Sequence, residues 1–329
     1  RVLIHDLFQH GDSYPSPATQ IHGTAMCSIV SWGDLNAPRP LSTPVACIPI
    51  MQPSSRPDDP TEIVPSERFP EDLVHEAVRE LLGDRNASKS GIAPGVKVIN
   101  LSVGDPTRPF HRQTGSWARL IDWLSWKHKI LFVVAAGNTD FHASPDDPTP
   151  REVGALAPPE RVRHTLQRMV ANRRTRSIHA PAEAINALTV GCLHHDESGP
   201  FTPSLAQVDI LPDNRFPSPI TRHGPGFKRA IKPELLFPGG RILFKNGPAA
   251  FLDWKGGGAP GVKVAAPSKD GRLDMASHSR GTSNAAALAT NAAGRIGELL
   301  LELGRDASLP VPLDSHAVAP VIKAMLVHG

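Results

Sequence analysis

Cysteine is scarce in this chain: its 329 residues hold three, at Cys27, Cys47 and Cys192. An odd and scattered set builds no disulfide framework, so a reducing compartment is permitted and a cytoplasmic location is expected. Long apolar runs are missing too, and with them any segment able to cross a bilayer, so no membrane partner is expected. Charge of one sign is not in excess. Lys and Arg number 35 against 32 Asp and Glu, a formal +3, which gives no reason to expect nucleic acid as a partner. No internal repeat is apparent. A zinc-binding His pair on a helix is excluded, because His75-Glu76 is followed by Arg79 where the second His would stand. An initiating Met is also lacking. The chain opens at Arg1 and runs at once into Val2-Leu3-Ile4, so it reads as cut from something longer.

What is present is the material of a large α/β domain. The length suffices to bury a sizeable core, and 40% hydrophobic with 20% charged residues is ordinary for a globular protein. The 34 Pro and 27 Gly cluster in loops. Buried-strand patterns at 44–51, 96–103, 130–136 and 187–193 alternate with helical spacings at 71–82 and 115–127, the first helix stopped by Gly83. Such alternation predicts a mostly parallel central sheet with helices on its flanks. Two stretches break the rhythm. Residues 139–184 are polar and Pro-rich, with one Arg-rich helical piece at 160–176, and residues 239–278 show little periodicity. Both are read as insertions on one domain covering 1–329. The arginines at 161, 163, 168, 173, 174 and 176 are read as a solvated helix face.

Three segments carry candidate chemistry. Gly281-Thr282-Ser283 opens a long helix rich in small residues, where unpaired backbone N–H groups and the positive end of the helix dipole would favour negative charge on a substrate oxygen. His22-Gly23-Thr24 opens a second helical run striped by Ala25, Met26, Ile29 and Val30. Asn138 follows the apolar run ending Ala135-Ala136-Gly137, at the carboxyl end of a strand, where α/β sheets place their sites. Taken singly, each has a common plain role: N-cap serine, loop histidine, turn asparagine.

In this chain order the three segments resemble the subtilisin-like serine peptidases, the subtilases. Two further stretches share the resemblance: Ile99-Asn100-Leu101-Ser102-Val103-Gly104, and the stretch 221–239 with His223-Gly224-Pro225 and Ile231-Lys232-Pro233-Glu234. Together the five stretches cover most of the chain. The resemblance implies a subtilisin-like three-layer fold and a serine endopeptidase. Ser283 would be its nucleophile, His22 its base and Asn138 its oxyanion donor. Ser102, Gly104 and Asp105 would lie along the substrate, a polypeptide. It implies no required cofactor, and structural calcium without an assignable site.

The departures from the family pattern are informative. Asn284 stands where the family has Met, Ala287 where it has Pro, and Asp105 where a second Gly is usual. The orienting Asp of the triad has no clear place. Asp6 ends a strand-like run but is followed by Leu7-Phe8 and lies too close to His22, so the acid is expected ahead of Arg1, with Asp6 the minority candidate. A chain that binds peptide segments without turnover is the alternative reading.

Overall fold

Five consecutive apolar residues, Leu131–Ala135, form a strand in which every side chain is buried. Leu131, Val133 and Ala135 join one core cluster, while Phe132 and Val134 join another, the alternation a strand imposes. Such a strand needs cover on both faces, and the rest of the chain supplies it. The structure is a computed structural model that describes residues 2–54, 61–84, 89–141, 147–213, 215–248, 250–254, 256–268, 270–272, 274–305 and 316–328.

The helices in chain order are α1 (Ile21–Trp32), α2 (Pro70–Leu82), α3 (Ser116–His128), α4 (Pro150–Ala155), α5 (Pro158–Ala171), α6 (Thr282–Arg305) and α7 (Val318–His328). The strands that frame the site are β1 (Val2–Ile4), β2 (Val45–Cys47), β3 (Gln52–Pro53), β4 (Glu62–Ile63), β5 (Val98–Leu101) and β6 (Asp105–Pro109). They continue with β7 (Leu131–Ala135), β8 (His179–Ala180), β9 (Leu188–Leu193), β10 (Leu235–Pro238), β11 (Val262–Ala266) and β12 (Met275–Ser279).

The central sheet has the order β10-β9-β7-β5, and every neighbouring pair is parallel. Its register sets Val98 beside Leu131, Leu188 beside Val133 and Val190 beside Leu235. A separate parallel pair joins β1 to β2. On one face of the sheet, Ala285, Ala286, Ala289 and Ala293 of α6 pack against Leu131, Val133, Leu188 and Val190. Alanines here let the helix backbone approach the sheet closely. On the other face, Val74 and Val78 of α2 and Trp117, Ala118, Ile121 and Leu124 of α3 cover Phe132, Val134 and Leu101. Helix, sheet and helix make the expected three layers. The start and stop of α2 follow its sequence: Pro70 occupies the first turn with Glu71 and Asp72, and Gly83 ends the helix at φ 82°.

Two readings need amending. The stretch 239–278 is not without pattern, since it holds β11 and most of β12, an antiparallel hairpin with Val262 opposite Ser279. Val262 and Val264 turn inward onto Ala25, Met26 and Ile29 of α1 and Ala287 of α6. The arginine stretch is only partly a solvated face. Arg163, Arg173 and Arg174 are exposed. Arg161, however, donates to the carbonyl oxygens of Asp209 at 2.9 Å, Gly154 at 2.6 Å and Leu156 at 3.1 Å. Arg168 pairs with Asp147 at 2.6 Å. Arg176 is buried and donates to Thr221 O at 3.0 Å and to Pro219 O. A guanidinium carries five donors in a planar fork, so it can gather several carbonyls of irregular backbone that lack a ladder partner. Parts of both stretches read as insertions (142–146, 249, 255, 269 and 273) lie outside the described residues.

Candidate active site

The start of α6 is fixed by an amide. Thr282 donates its backbone N–H to Asn138 Oδ1 at 2.9 Å and its hydroxyl to the same oxygen at 3.0 Å. A backbone N–H can only donate, so the amide oxygen of Asn138 is the end turned to Thr282 and Nδ2 is the end turned away. Among the described residues Nδ2 has no hydrogen-bond partner. Gly281, at φ 146°, admits the tight entry; a Cβ there would lie 3.2 Å from Nδ2. The backbone of Asn138 is itself held, because Arg222 Nε donates to its carbonyl at 2.7 Å. One residue into the helix, Ser283 has a backbone N–H in the first turn, where no intrahelical acceptor exists.

The Ser283 hydroxyl donates to Ser102 O at 3.1 Å, and Ser102 Oγ lies 2.9 Å from Ser283 O. This reciprocal pair ties the chain just past β5 to the first turn of α6. Deeper in, Asn100 Oδ1 is 2.9 Å from Ser102 Oγ, and Asn100 Nδ2 donates to Thr290 Oγ1 at 3.0 Å. Asn284, the departure from the family's Met, is buried. It accepts from Ser279 Oγ at 3.1 Å and donates to Gly239 O at 3.4 Å, so it joins β12 and the turn after β10 to α6. Ala287, where the family has Pro, is the fully buried contact with α1.

His22 is brought level with Ser283 by two helices lying side by side. Asn291 Nδ2 of α6 donates to Val30 O of α1 at 2.9 Å. Asn291 is eight residues beyond Ser283, and Val30 is eight residues beyond His22. Halfway between, Ala287 packs on Ala25, Met26 and Ile29. The helices are therefore parallel and in step, and both side chains sit at the same end. No hydrogen bond joins Ser283 to His22 among the described residues. The His22 side chain is 41% exposed, its Nδ1 lies 3.9 Å from Glu62 Oε2, and burial of the group lowers its pKa. Burial likewise raises the Glu62 carboxyl, against a hydrogen bond from Tyr14. Asp6 faces elsewhere: Oδ1 accepts from the N–H of His10 at 2.9 Å and Oδ2 from that of Gly11 at 2.7 Å.

Ser102 is buried, and Gly104 runs against β8, where a Cβ would meet Ala180 O at 3.4 Å. Asp105 opens β6. Its carboxylate accepts from Arg108 Nε at 2.6 Å, Thr107 N at 2.9 Å and Thr107 Oγ1 at 2.6 Å. Burial pushes its pKa up, but these bonds outweigh it and hold the group below its ordinary value. The sequence reading missed three residues here: Glu62, Arg222 and His179. His179 is buried between Gly104 and Gly137, and its Nε2 has no partner among the described residues. Burial, with Arg222 adding to it, lowers its pKa to about 4. Glu62 and His179 stand in no motif, and Arg222, though inside the stretch 221–239, is not among the residues that carry the resemblance there. Among the described residues no three His, Cys, Asp or Glu side chains gather to hold a metal ion. No described helix is long and apolar enough to cross a membrane.

The sequence profile of the subtilase family matches residues 7–328. An uncharacterized protein of Sinorhizobium fredii (strain NBRC 101917 / NGR234), y4bN, is 29% identical over 153 residues, 46% of this chain and 32% of that protein. The match thus spans about a third of the length of that relative. Among solved structures, the prenylagaramide maturation protease PagA superposes over 97% of this chain and 79% of its own, at a TM-score of 0.45 and 15% identity. The self-cleaved protease domain of PatA superposes over 98% of this chain and 89% of its own, at 0.44 and 14%.

Proposed function

The chain belongs to the subtilase family, a family of peptidases, and on that premise we propose that it is a serine endopeptidase whose reaction runs through Ser283, His22 and Asn138. The observation that carries the proposal is the orientation of Asn138. With Oδ1 anchored on Thr282, Nδ2 is left without a partner among the described residues, at the end of α6 where the Ser283 N–H has no intrahelical acceptor. Two such donors could hold the oxygen of a tetrahedral intermediate without having to reorganise as charge develops.

In this reading Ser283 Oγ attacks the carbonyl carbon of a peptide bond. The new C–O bond forms as the carbonyl electron pair moves onto oxygen, facing Asn138 Nδ2 and the Ser283 N–H. His22 takes the hydroxyl proton and returns it to the departing amine, leaving an acyl-serine that water hydrolyses by the same steps. The substrate backbone would run along 102–104, and Asp105 would lie beside it. A carboxylate at His22 Nδ1 is required to fix the tautomer that leaves Nε2 free to accept the proton.

The second reading, a peptide-binding module without turnover, draws on the resting bond from Ser283 Oγ to Ser102 O, which commits the hydroxyl proton to a carbonyl instead of an imidazole. Labelling with a fluorophosphonate separates the two, because only an activated serine reacts. A covalent adduct mapped to Ser283, and absent from Ser283→Ala, is the expected result. Intact, folded protein that takes up no label would leave the binding module.

A further inference from the structure

The sequence scatters its three cysteines, and the fold gathers two of them. Cys27 lies on α1 and Cys47 ends β2, and each thiol is the other's hydrogen-bond partner. We propose that Cys27 and Cys47 form a reversible redox site, oxidised by a small peroxide to a disulfide that ties α1 to β2. The proposal does not depend on how Ser283 and His22 behave.

The backbone brings the pair together independently of the two sulfurs. After α1 the chain doubles back along the helix. Leu41 donates its N–H to Ser31 O at 2.9 Å, and Ser31, Trp32, Thr43 and Val45 line one shared recess. Cys47 is two residues beyond Val45, on the same face of the strand, and Cys27 is four residues before Ser31, on the same side of the helix. Two strand residues advance about 6.6 Å and four helix residues about 6 Å. With Val45 beside Ser31, Cys47 therefore falls beside Cys27. The pairing of Cys47 with Ile4, and the bond from the His5 N–H to Cys47 O at 2.9 Å, hold the strand in that register.

The two sulfurs are not equivalent. The bond from the Cys27 thiol pulls the Cys47 pKa below the ordinary thiol value, against the effect of burial. The same bond, with burial added, raises Cys27. Cys47 is thus the better thiolate, and Cys27 is the thiol held in reserve beside it. Both are half-buried, within reach of a small oxidant, whereas Cys192 is buried. A metal fits the pair less well, because among the described residues no third His, Cys, Asp or Glu joins them.

Oxidation takes two steps. The Cys47 thiolate attacks one oxygen of hydrogen peroxide. The S–O bond forms as the O–O bond breaks, and the departing oxygen takes up a proton and leaves as water, with a sulfenic acid on Cys47. Cys27 then gives up its proton and attacks the Cys47 sulfur. The S–S bond forms, the S–O bond breaks, and the hydroxyl leaves with that proton as a second water. The two thiols have lost two electrons, and the peroxide has gained them. A small dithiol reverses the product by exchange.

The test treats the intact protein with a small excess of hydrogen peroxide, then alkylates it under denaturing conditions and maps its peptides by mass. The expected product joins the Cys27 and Cys47 peptides, at a mass lower by two hydrogens, with Cys192 still alkylated. Dithiothreitol should return all three thiols. Cys27→Ser removes the resolving thiol and should let a dimedone-reactive sulfenic acid accumulate on Cys47. Cys47→Ser should slow oxidation at Cys27 by about 10-fold or more. Folded wild type in which Cys27 and Cys47 both stay open to alkylation overturns the proposal. So does Cys47 driven to a sulfinic acid with no cross-link, or a disulfide found only between two copies of the chain. The cross-link is read on wild type, so a serine variant that fails to fold leaves that decision standing.

Discussion

An amide side chain has two unlike ends, and at Asn138 the fold commits one of them. Replacing Asn138 by Ala removes the donor from the oxyanion side and the acceptor from Thr282 at once. If the reading is right, kcat falls about 10²–10³-fold with little change in KM, the size known for loss of such a donor in subtilisin. Steady-state kinetics on a peptide substrate decides, and an effect confined to KM would make Asn138 a binding residue. Ser283→Ala should abolish turnover, by up to about 10⁶ in kcat, with the protein still folded and only a small drop in the thermal transition for the lost bond to Ser102 O. His179 gives a prediction in pH. Its folded pKa is about 4 against an ordinary 6.5. Above pH 6.5 the ring is neutral in both states and costs nothing. Below it the unfolded chain binds a proton that the folded site refuses, so stability drops until about pH 4, by ~3 kcal/mol in all. Melting temperature followed from pH 7 to 4 should decline less steeply in His179→Gln than in wild type. At this scale the sequence revealed unevenly. Ser283, His22 and Asn138 stand in runs whose neighbours advertise them, such as Gly281 before the helix. His179, Arg222 and Glu62 owe their positions to contacts between segments far apart in the chain, which no local pattern encodes.

Elements were more legible where one face or both faces had to be apolar. β7 and α2 follow directly from their apolar periodicities, and Gly83 stops α2 where expected. The β11–β12 hairpin was missed because only Val262 and Val264 alternate inward, across a turn region rich in Gly and charge. The segment at 231–234 was recognised by its residues, and the structure gives it a physical task. Lys232 is buried, and Nζ donates to Ala184 O at 2.6 Å, Thr189 Oγ1 at 2.9 Å and Glu234 Oε1 at 2.8 Å. Glu234 in turn accepts from the Thr189 N–H at 2.8 Å, which locks the start of β9 against the strand that follows. Removing Lys232 leaves Glu234 with Lys323 alone, at the longer distance of 3.6 Å, and removing Glu234 takes the paired carboxylate from a buried ammonium. Lys232→Met is expected to cost roughly 3–5 kcal/mol, and adding Glu234→Gln should restore part of the loss. Urea unfolding of the single and double variants measures both, and additive effects would show that the two groups do not act as a pair.

At the scale of the whole molecule an exposed apolar strand stands out. β1 pairs only with β2 and lies apart from the four-stranded sheet, whose terminal strand β5 pairs only with β7 among the described residues. Val2, Leu3 and Ile4 are 39%, 45% and 67% exposed, an apolar edge of the kind that recruits other chains. This chain should therefore self-associate, and Leu3→Lys or Ile4→Lys should raise the monomer fraction seen by light scattering without loss of Ser283 labelling. Equal association in wild type and variants would locate the sticky surface elsewhere. The parallel pairing of α1 with α6 has a consequence in time as well as in space. α1 leaves the ribosome long before α6 does, and in the peptidase reading neither His22 nor Ser283 is any use without the other. A product broken off anywhere between the two helices would then have nothing to cut with, and would stay harmless to its neighbours.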